Sequence, residues 1–168
     1  QLSSVDLYFG SKSTTNNVTI TIRGMADTGM PNNIVYATQV LTPDQVNVSS
    51  DASAVTKVAF DDPVMTTPGS SYVVVAGSSS ADYTLAVARS GSNLLGTNTK
   101  VTGQPYQEGV LFLSSNGQTW TPDQSADLKF VVNAAKYNPT ATMEFSPFVN
   151  LKLDTFVLFA SYLTPDNT

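Results

Sequence analysis

Apolar and polar residues alternate one by one along most of this 168-residue chain, and no stretch holds a convincing 3.6-residue period. A period of two puts every second side chain on one face of a pleated strand, so the chain is expected to be all-β. Val5, Leu7 and Phe9 share one face of a first run over residues 5–11, and Val18, Ile20 and Ile22 one face of a second over 18–23. Ser13-Thr14-Thr15-Asn16-Asn17 between them reads as a hairpin loop. Further runs cover residues 34–41, 55–60, 72–76, 83–89, 110–115 and 128–134, with Gly, Pro, Asn and Asp between them. Short strands at this spacing predict an antiparallel, jelly-roll-like β-sandwich of about eight strands. The polar stretch 92–108 reads as a long connection capping one end, where binding residues tend to gather. Asn116-Gly117 reads as a turn, with Trp120, Thr121 and Pro122 in the loop that follows.

The domain is expected to span residues 1–137, leaving 138–168 as a C-terminal extension or the start of a following domain or linker. Phe145, Phe148, Val149, Leu151, Leu153 and Phe156 to Phe159 crowd apolar surface into this segment. Such surface calls for cover from the sandwich, from another chain or from a further domain. The ending Leu163-Thr164-Pro165-Asp166 reads as linker.

Composition narrows the chemistry. The chain has neither cysteine nor histidine, which removes disulfides, thiolate nucleophiles, imidazole bases and the commonest transition-metal ligands together. A net charge of −5 with only eight cationic side chains argues against counterion-release binding to nucleic acid. No segment reaches the ~18 consecutive apolar residues of a membrane span, so no membrane insertion is expected and the chain reads as soluble, with any export signal missing or removed. Paired-carboxylate glycoside hydrolysis needs no histidine, but Glu108 and Glu144 are the only glutamates and the aspartates sit in turn-like contexts or at strand ends. No enzyme activity and no cofactor are therefore expected.

Binding is the remaining chemistry. Trp120 and Tyr106, in predicted loops, offer aromatic faces for a sugar ring, with Asn and Gln nearby for its hydroxyls. The competing and stronger reading has Trp120 folded over the sandwich end as a plug and Tyr72 and Tyr83 as strand core residues. Arg89, alone or with Arg23, has the fork to grip an acidic sugar or a partner's carboxylate, although an ion pair to a nearby aspartate is the commoner use. Asp61-Asp62 before Pro63 has the oxygens for a calcium ion, but a solvated turn is the stronger reading and no metal is expected. Asn17-Val18-Thr19 and Asn47-Val48-Ser49 match glycosylation sequons, which matter only on a eukaryotic secretory route.

The stretch from Gly109-Val110-Leu111-Phe112 through Ser115-Asn116-Gly117-Gln118-Thr119-Trp120-Thr121-Pro122-Asp123 to Leu128-Lys129-Phe130 resembles a module of virion structural proteins of tailed bacteriophages. Phe60-Asp61-Asp62-Pro63-Val64 with Gly69-Ser70-Ser71-Tyr72-Val73-Val74-Val75 looks like the module's middle, and Val18-Thr19-Ile20-Thr21-Ile22-Arg23 like its front. The resemblance covers roughly residues 5–137. It implies a structural or adhesive part of a tail, baseplate or fibre in the virion, with no catalytic residues to carry over. Its implied partners are other virion proteins, further copies of itself and a host-surface glycan. The front half also looks like sandwich modules of secreted bacterial proteins, which makes an extracellular carbohydrate-binding module the alternative.

Overall fold

The two most regular runs become the central strands of two different sheets. In the computed structural model, which describes residues 1–103, 109–136 and 140, β1 (Leu2–Ser11) lies between β4 (Val55–Val64) and β11 (Phe130–Ala134), while β2 (Val18–Met25) lies between β3 (Pro31–Leu41) and β5 (Tyr72–Ser78). Residues 13–17 therefore do not close the expected hairpin; they carry the chain from one sheet to the other. The reason is burial. Side by side in one sheet, the Val5/Leu7/Phe9 and Val18/Ile20/Ile22 faces would both still need a cover, whereas folded over each other they supply it. All six side chains are buried in one cluster with Leu41, Val46, Val58, Phe60 and Val64. Each contributes about 1.5–3 kcal/mol relative to an exposed position. Ser13 is buried within the crossing, and its hydroxyl oxygen accepts hydrogen bonds from the Thr15 and Asn16 amides at 3.4 and 3.3 Å.

The named strands all pair antiparallel, giving the expected sandwich-like all-β architecture. Leu7 stands opposite Thr56 on one side and Phe130 on the other, so the inward face runs across all three strands. Between Ser4 and Leu2, two steps along β1 are matched by five along β4, from Ala59 to Val64. That bulge holds Asp61, Asp62 and Pro63 exposed within the strand, not in the expected turn.

The strand count rises from about eight to eleven among the described residues because several expected runs are split. Residues 83–89 divide at Ala86 into β6 (Thr84–Leu85), which pairs with the end of β1, and β7 (Val87–Arg89), which pairs with β10 (Ala126–Leu128). The expected loop after Asn116-Gly117 is a strand, β9 (Thr121–Asp123), paired with β8 (Leu111–Leu113). Gly117 turns the pair with a φ of 67°, and Asn116 Oδ1 accepts the Gln118 and Thr119 amides. The first part of the long polar connection closes on itself, with Asn93 bridged to Lys100 and Gly96 at its tip.

A second, small cluster lies on the other side of β1, where Tyr8 packs with Ala52 and Ala86. Lys129 Nζ sits 4.2 Å from the centre of the Tyr8 ring and donates to the Ala52 carbonyl at 2.9 Å. Contact clustering divides the chain into Gln1–Ala135 and Lys136–Thr168. Apart from Lys136 and Thr140, the second unit, with the expected apolar extension, lies outside the described residues.

Leu7→Ala should cost about 2–5 kcal/mol, the range for removing a fully buried leucine side chain. Val35→Ala, at an exposed position, should stay within about 0.5 kcal/mol. Urea denaturation midpoints at equal slope measure both.

Candidate functional site

Arg89 ends β7, and its guanidinium is held from two directions. Nη2 is 2.9 Å from Asp123 Oδ2 and Nη1 donates to Ser125 Oγ at 2.7 Å. The Ser125 amide and hydroxyl donate in turn to the other Asp123 oxygen at 2.9 and 2.7 Å. Arg89 therefore ties the β7–β10 pair to the β8–β9 hairpin, which is the ion-pair use weighed from sequence. Trp120 is half-buried and immediately precedes β9, three residues before Asp123. Tyr106 lies outside the described residues, so the expected pairing of Trp120 with Tyr106 has no geometry to state.

Tyr72 and Tyr83 are both engaged in the fold. Tyr72 is half-buried against the core, its hydroxyl oxygen accepting the Thr67 amide at 2.9 Å. Tyr83 meets Phe9 edge-on at 6.1 Å and donates to the Asn16 carbonyl at 2.5 Å. Desolvation, with Asp82's charge beside it, raises the Tyr83 phenol above its usual range.

The surface that sequence reasoning passed over is the second sheet. The 8, 11 and 7 residues of β2, β3 and β5 include a single charged side chain, Arg23, in a chain that is 12% charged. No described strand pairs with the outer edge of β3. That strand exposes Ile34, Val35, Tyr36 and Val40 to 58%, 48%, 47% and 48%. The expected run starts at residue 34 and the observed strand begins earlier, at Pro31; the whole eleven-residue window carries no charge, which is the signal in the sequence.

A bulge shapes this edge. Ile22 faces Ala37 and Arg23 faces Val35, so Tyr36 is the extra residue. Its ring swings over Gly24, where a Cβ would lie 3.3 Å from Tyr36 Cε2 and 3.0 Å from Asn32 Nδ2, and meets Tyr72 edge-on at 5.2 Å. Gly24 makes room for both side chains. The tip of the β8–β9 hairpin docks on the same sheet, with Arg23 Nη1 donating to the Gly117 carbonyl at 3.2 Å and Asn33 Nδ2 to Gln118 Oε1 at 3.3 Å.

A groove of about 630 Å³ lies among β7, β10, the start of β11 and the hairpin at residues 93–100. Val87, Leu94, Leu95, Leu128 and Phe130 make it largely apolar, and Asp51, Asp127 and Lys129 supply charge. The charges of Lys129 and Asp51 serve the fold. The Lys129 ammonium serves the Ala52 carbonyl and the Tyr8 ring, and Asp51 accepts the Ser53 hydroxyl and amide, which hold its carboxyl below the usual range. The groove is thus equipped to hold an apolar or amphipathic group. Among the described residues no three acidic side chains gather as a metal site.

Asp123 yields a pH prediction. Hydrogen bonds from the Ser125 hydroxyl and amide, then the Arg89 guanidinium, lower its pKa in the fold. Its stabilising effect is therefore complete above the unfolded aspartate pKa and is lost as pH falls through the lower folded value. Melting temperature followed into acid should show Asp123→Asn losing part of the wild-type decline; an identical pH slope in both proteins would remove Asp123 from the account.

Comparison with known proteins finds no matching family model, no matching curated protein and no matching solved structure.

Proposed function

We propose that this chain is a non-catalytic structural and attachment module of a tailed-phage tail, baseplate or fibre protein, acting in the virion through surface contacts. The observation that carries the reading is the second sheet, almost free of charge and ending in an exposed apolar strand whose outer edge pairs with no described strand. Charge depletion with an exposed aromatic marks the centre of protein interfaces. The resemblance over residues 5–137 supplies the virion setting, and the jelly-roll-like arrangement it implies belongs to the same proposal. Other virion proteins and further copies of the chain are the partners this surface suits. The polar loops would meet a host-surface glycan, with Trp120 and Tyr106 as the aromatic contacts and Arg89, already bound to Asp123, holding the β8–β9 hairpin in place.

The groove favours a second reading, a carbohydrate-binding module of a secreted bacterial protein, since its volume falls within the range of about 300–1,000 Å³ of small-ligand sites. Immunogold electron microscopy separates the two. Antibody raised against the chain should label one end of tailed particles released by cells that encode it. Antigen found free in the medium, with purified particles unlabelled, would overturn the virion reading and favour the secreted module.

Glycan attachment has its own test. Trp120→Ala should keep the β-sheet circular dichroism of the parent and lose binding to host envelope carbohydrate. A folded variant that binds as the parent does would take Trp120 out of the site.

A further inference from the structure

We infer that Arg23 reads a carboxylate under the tip of the β8–β9 hairpin and so selects acidic sugars, with Thr21 lending its hydroxyl and the loop of Trp120 holding the rest of the glycan. The inference rests on the glycan-attachment reading above and names the class of sugar. Arg23 is the one charged side chain in the strands of the second sheet, and it is half-buried. Of its guanidinium nitrogens only Nη1 has a hydrogen-bond partner among the described residues, the Gly117 carbonyl at 3.2 Å. Nε is buried with none. A cation drawn out of water costs free energy until an anion or enough acceptors face it. Among the described residues no carboxylate stands within ion-pair distance of Arg23, Asp27 four positions on included; the ion pair found there joins Arg89 to Asp123.

Thr21 shows the same lack. It lies two residues back along β2, which pairs with β5 in unbroken register from Val18 to Gly24, so its side chain and that of Arg23 share one face of the sheet. Thr21 is buried, and its Oγ1 has no partner among the described residues. The hydroxyl and the Nε–Nη2 edge of the guanidinium are donors, and a carboxylate, with two oxygens, is the acceptor that fits a guanidinium edge. The net charge of −5 does not oppose an anion at this place, because β2, β3 and β5 hold no Asp or Glu and Asp123 of the hairpin is bound to Arg89. Bonds at the long end of the usual range hold the hairpin tip to the sheet, 3.2 Å from Arg23 and 3.3 Å from Asn33 to Gln118. An entering carboxylate therefore displaces one neutral carbonyl, and the charged acceptor makes the stronger bond. Asn33 and Gln118 are exposed, with amides that suit sugar hydroxyls. Trp120 follows Gly117 by three residues, which keeps their Cα atoms within about 11 Å. One oligosaccharide can thus meet both the indole and the guanidinium.

Trp120 is the single tryptophan of the chain, so its fluorescence reports on this loop. The full chain is titrated with galacturonate trisaccharide and with sialyllactose, each beside its own methyl ester, in which the charge is gone and the sugar otherwise unchanged. At least one acid should bind about ten- to a hundredfold more tightly than its ester, the worth of a hydrogen bond to a charged group. Which acid does so separates a uronic from a sialic sugar. Arg23→Gln should lower the acid to the affinity of the ester and leave the ester as in the parent. Thr21→Val, close in shape but without the hydroxyl, should weaken the acid about two- to tenfold and spare the ester. It removes an unpaired polar atom and so keeps the fold; it decides the matter if Arg23→Gln shifts the Trp120 emission before any sugar is added.

Acids and esters bound equally tightly overturn the inference. So does a preference that Arg23→Gln leaves in place, or, where that variant disturbs the hairpin, one that Thr21→Val leaves unchanged; each of these results lets attachment through Trp120 stand. Binding of none of the four sugars overturns it too, and binding of the parent to host envelope carbohydrate then tells whether the attachment reading falls with it.

Discussion

Everything in this fold depends on two apolar strand faces meeting across the middle of the molecule. β1 and β2 each occupy the centre of a sheet, and Val5, Leu7, Phe9, Val18, Ile20 and Ile22 exclude water from one another. Four strands extend these two: β4 and β11 flank β1, and β3 and β5 flank β2. The chain needs no disulfide because apolar area between two sheets supplies the driving force, at about 25 cal/mol per Å² removed from water.

The period-two pattern made the fold class and the main strands legible, because alternation is a local property. Which strand lies beside which was not. Residues 13–17 have the composition of a hairpin loop, and only the need to cover two equally apolar faces turns them into a crossing between sheets. The splits at Ala86 and Lys129 escaped for the same reason: residues 83–89 and 128–134 alternate well enough, but their halves pair with different partners. Of the candidate site residues, Arg89 pairs with Asp123 as local chemistry suggests. Trp120 lies in a loop as its context suggests, whereas Thr121 and Pro122, read as part of that loop, open a short strand. The neutral edge of β3 was visible as an absence of charge, which a search for reactive side chains does not register.

The few cations of this protein are largely spent on holding loops. Lys12 donates to the carbonyls of Pro43 and Val46 at 2.7 and 2.8 Å, Lys129 to that of Ala52, and Arg23 to that of Gly117. Arg89 holds Asp123 and Ser125. Four of eight positive groups thus act as internal ties, three of them through neutral carbonyls. Such ties depend on ionic strength less than ion pairs do. Two buried polar atoms on the second sheet, Thr21 Oγ1 and Arg23 Nε, have no hydrogen-bond partner in the protein among the described residues.

The position of β1 also has a consequence in time. Its residues are made before those of the other named strands, yet one of its flanking strands, β11, is made 130 positions later, as the bond from Ser3 to the Asn133 carbonyl records. A ribosome synthesising about 5–20 residues per second leaves this central strand without that neighbour for roughly 6–25 seconds. Contacts of such sequence separation slow folding, because chain entropy is lost before they form. During that interval an apolar strand face lies open along one side, so nascent chains crowded on one message are the population most exposed to mispairing.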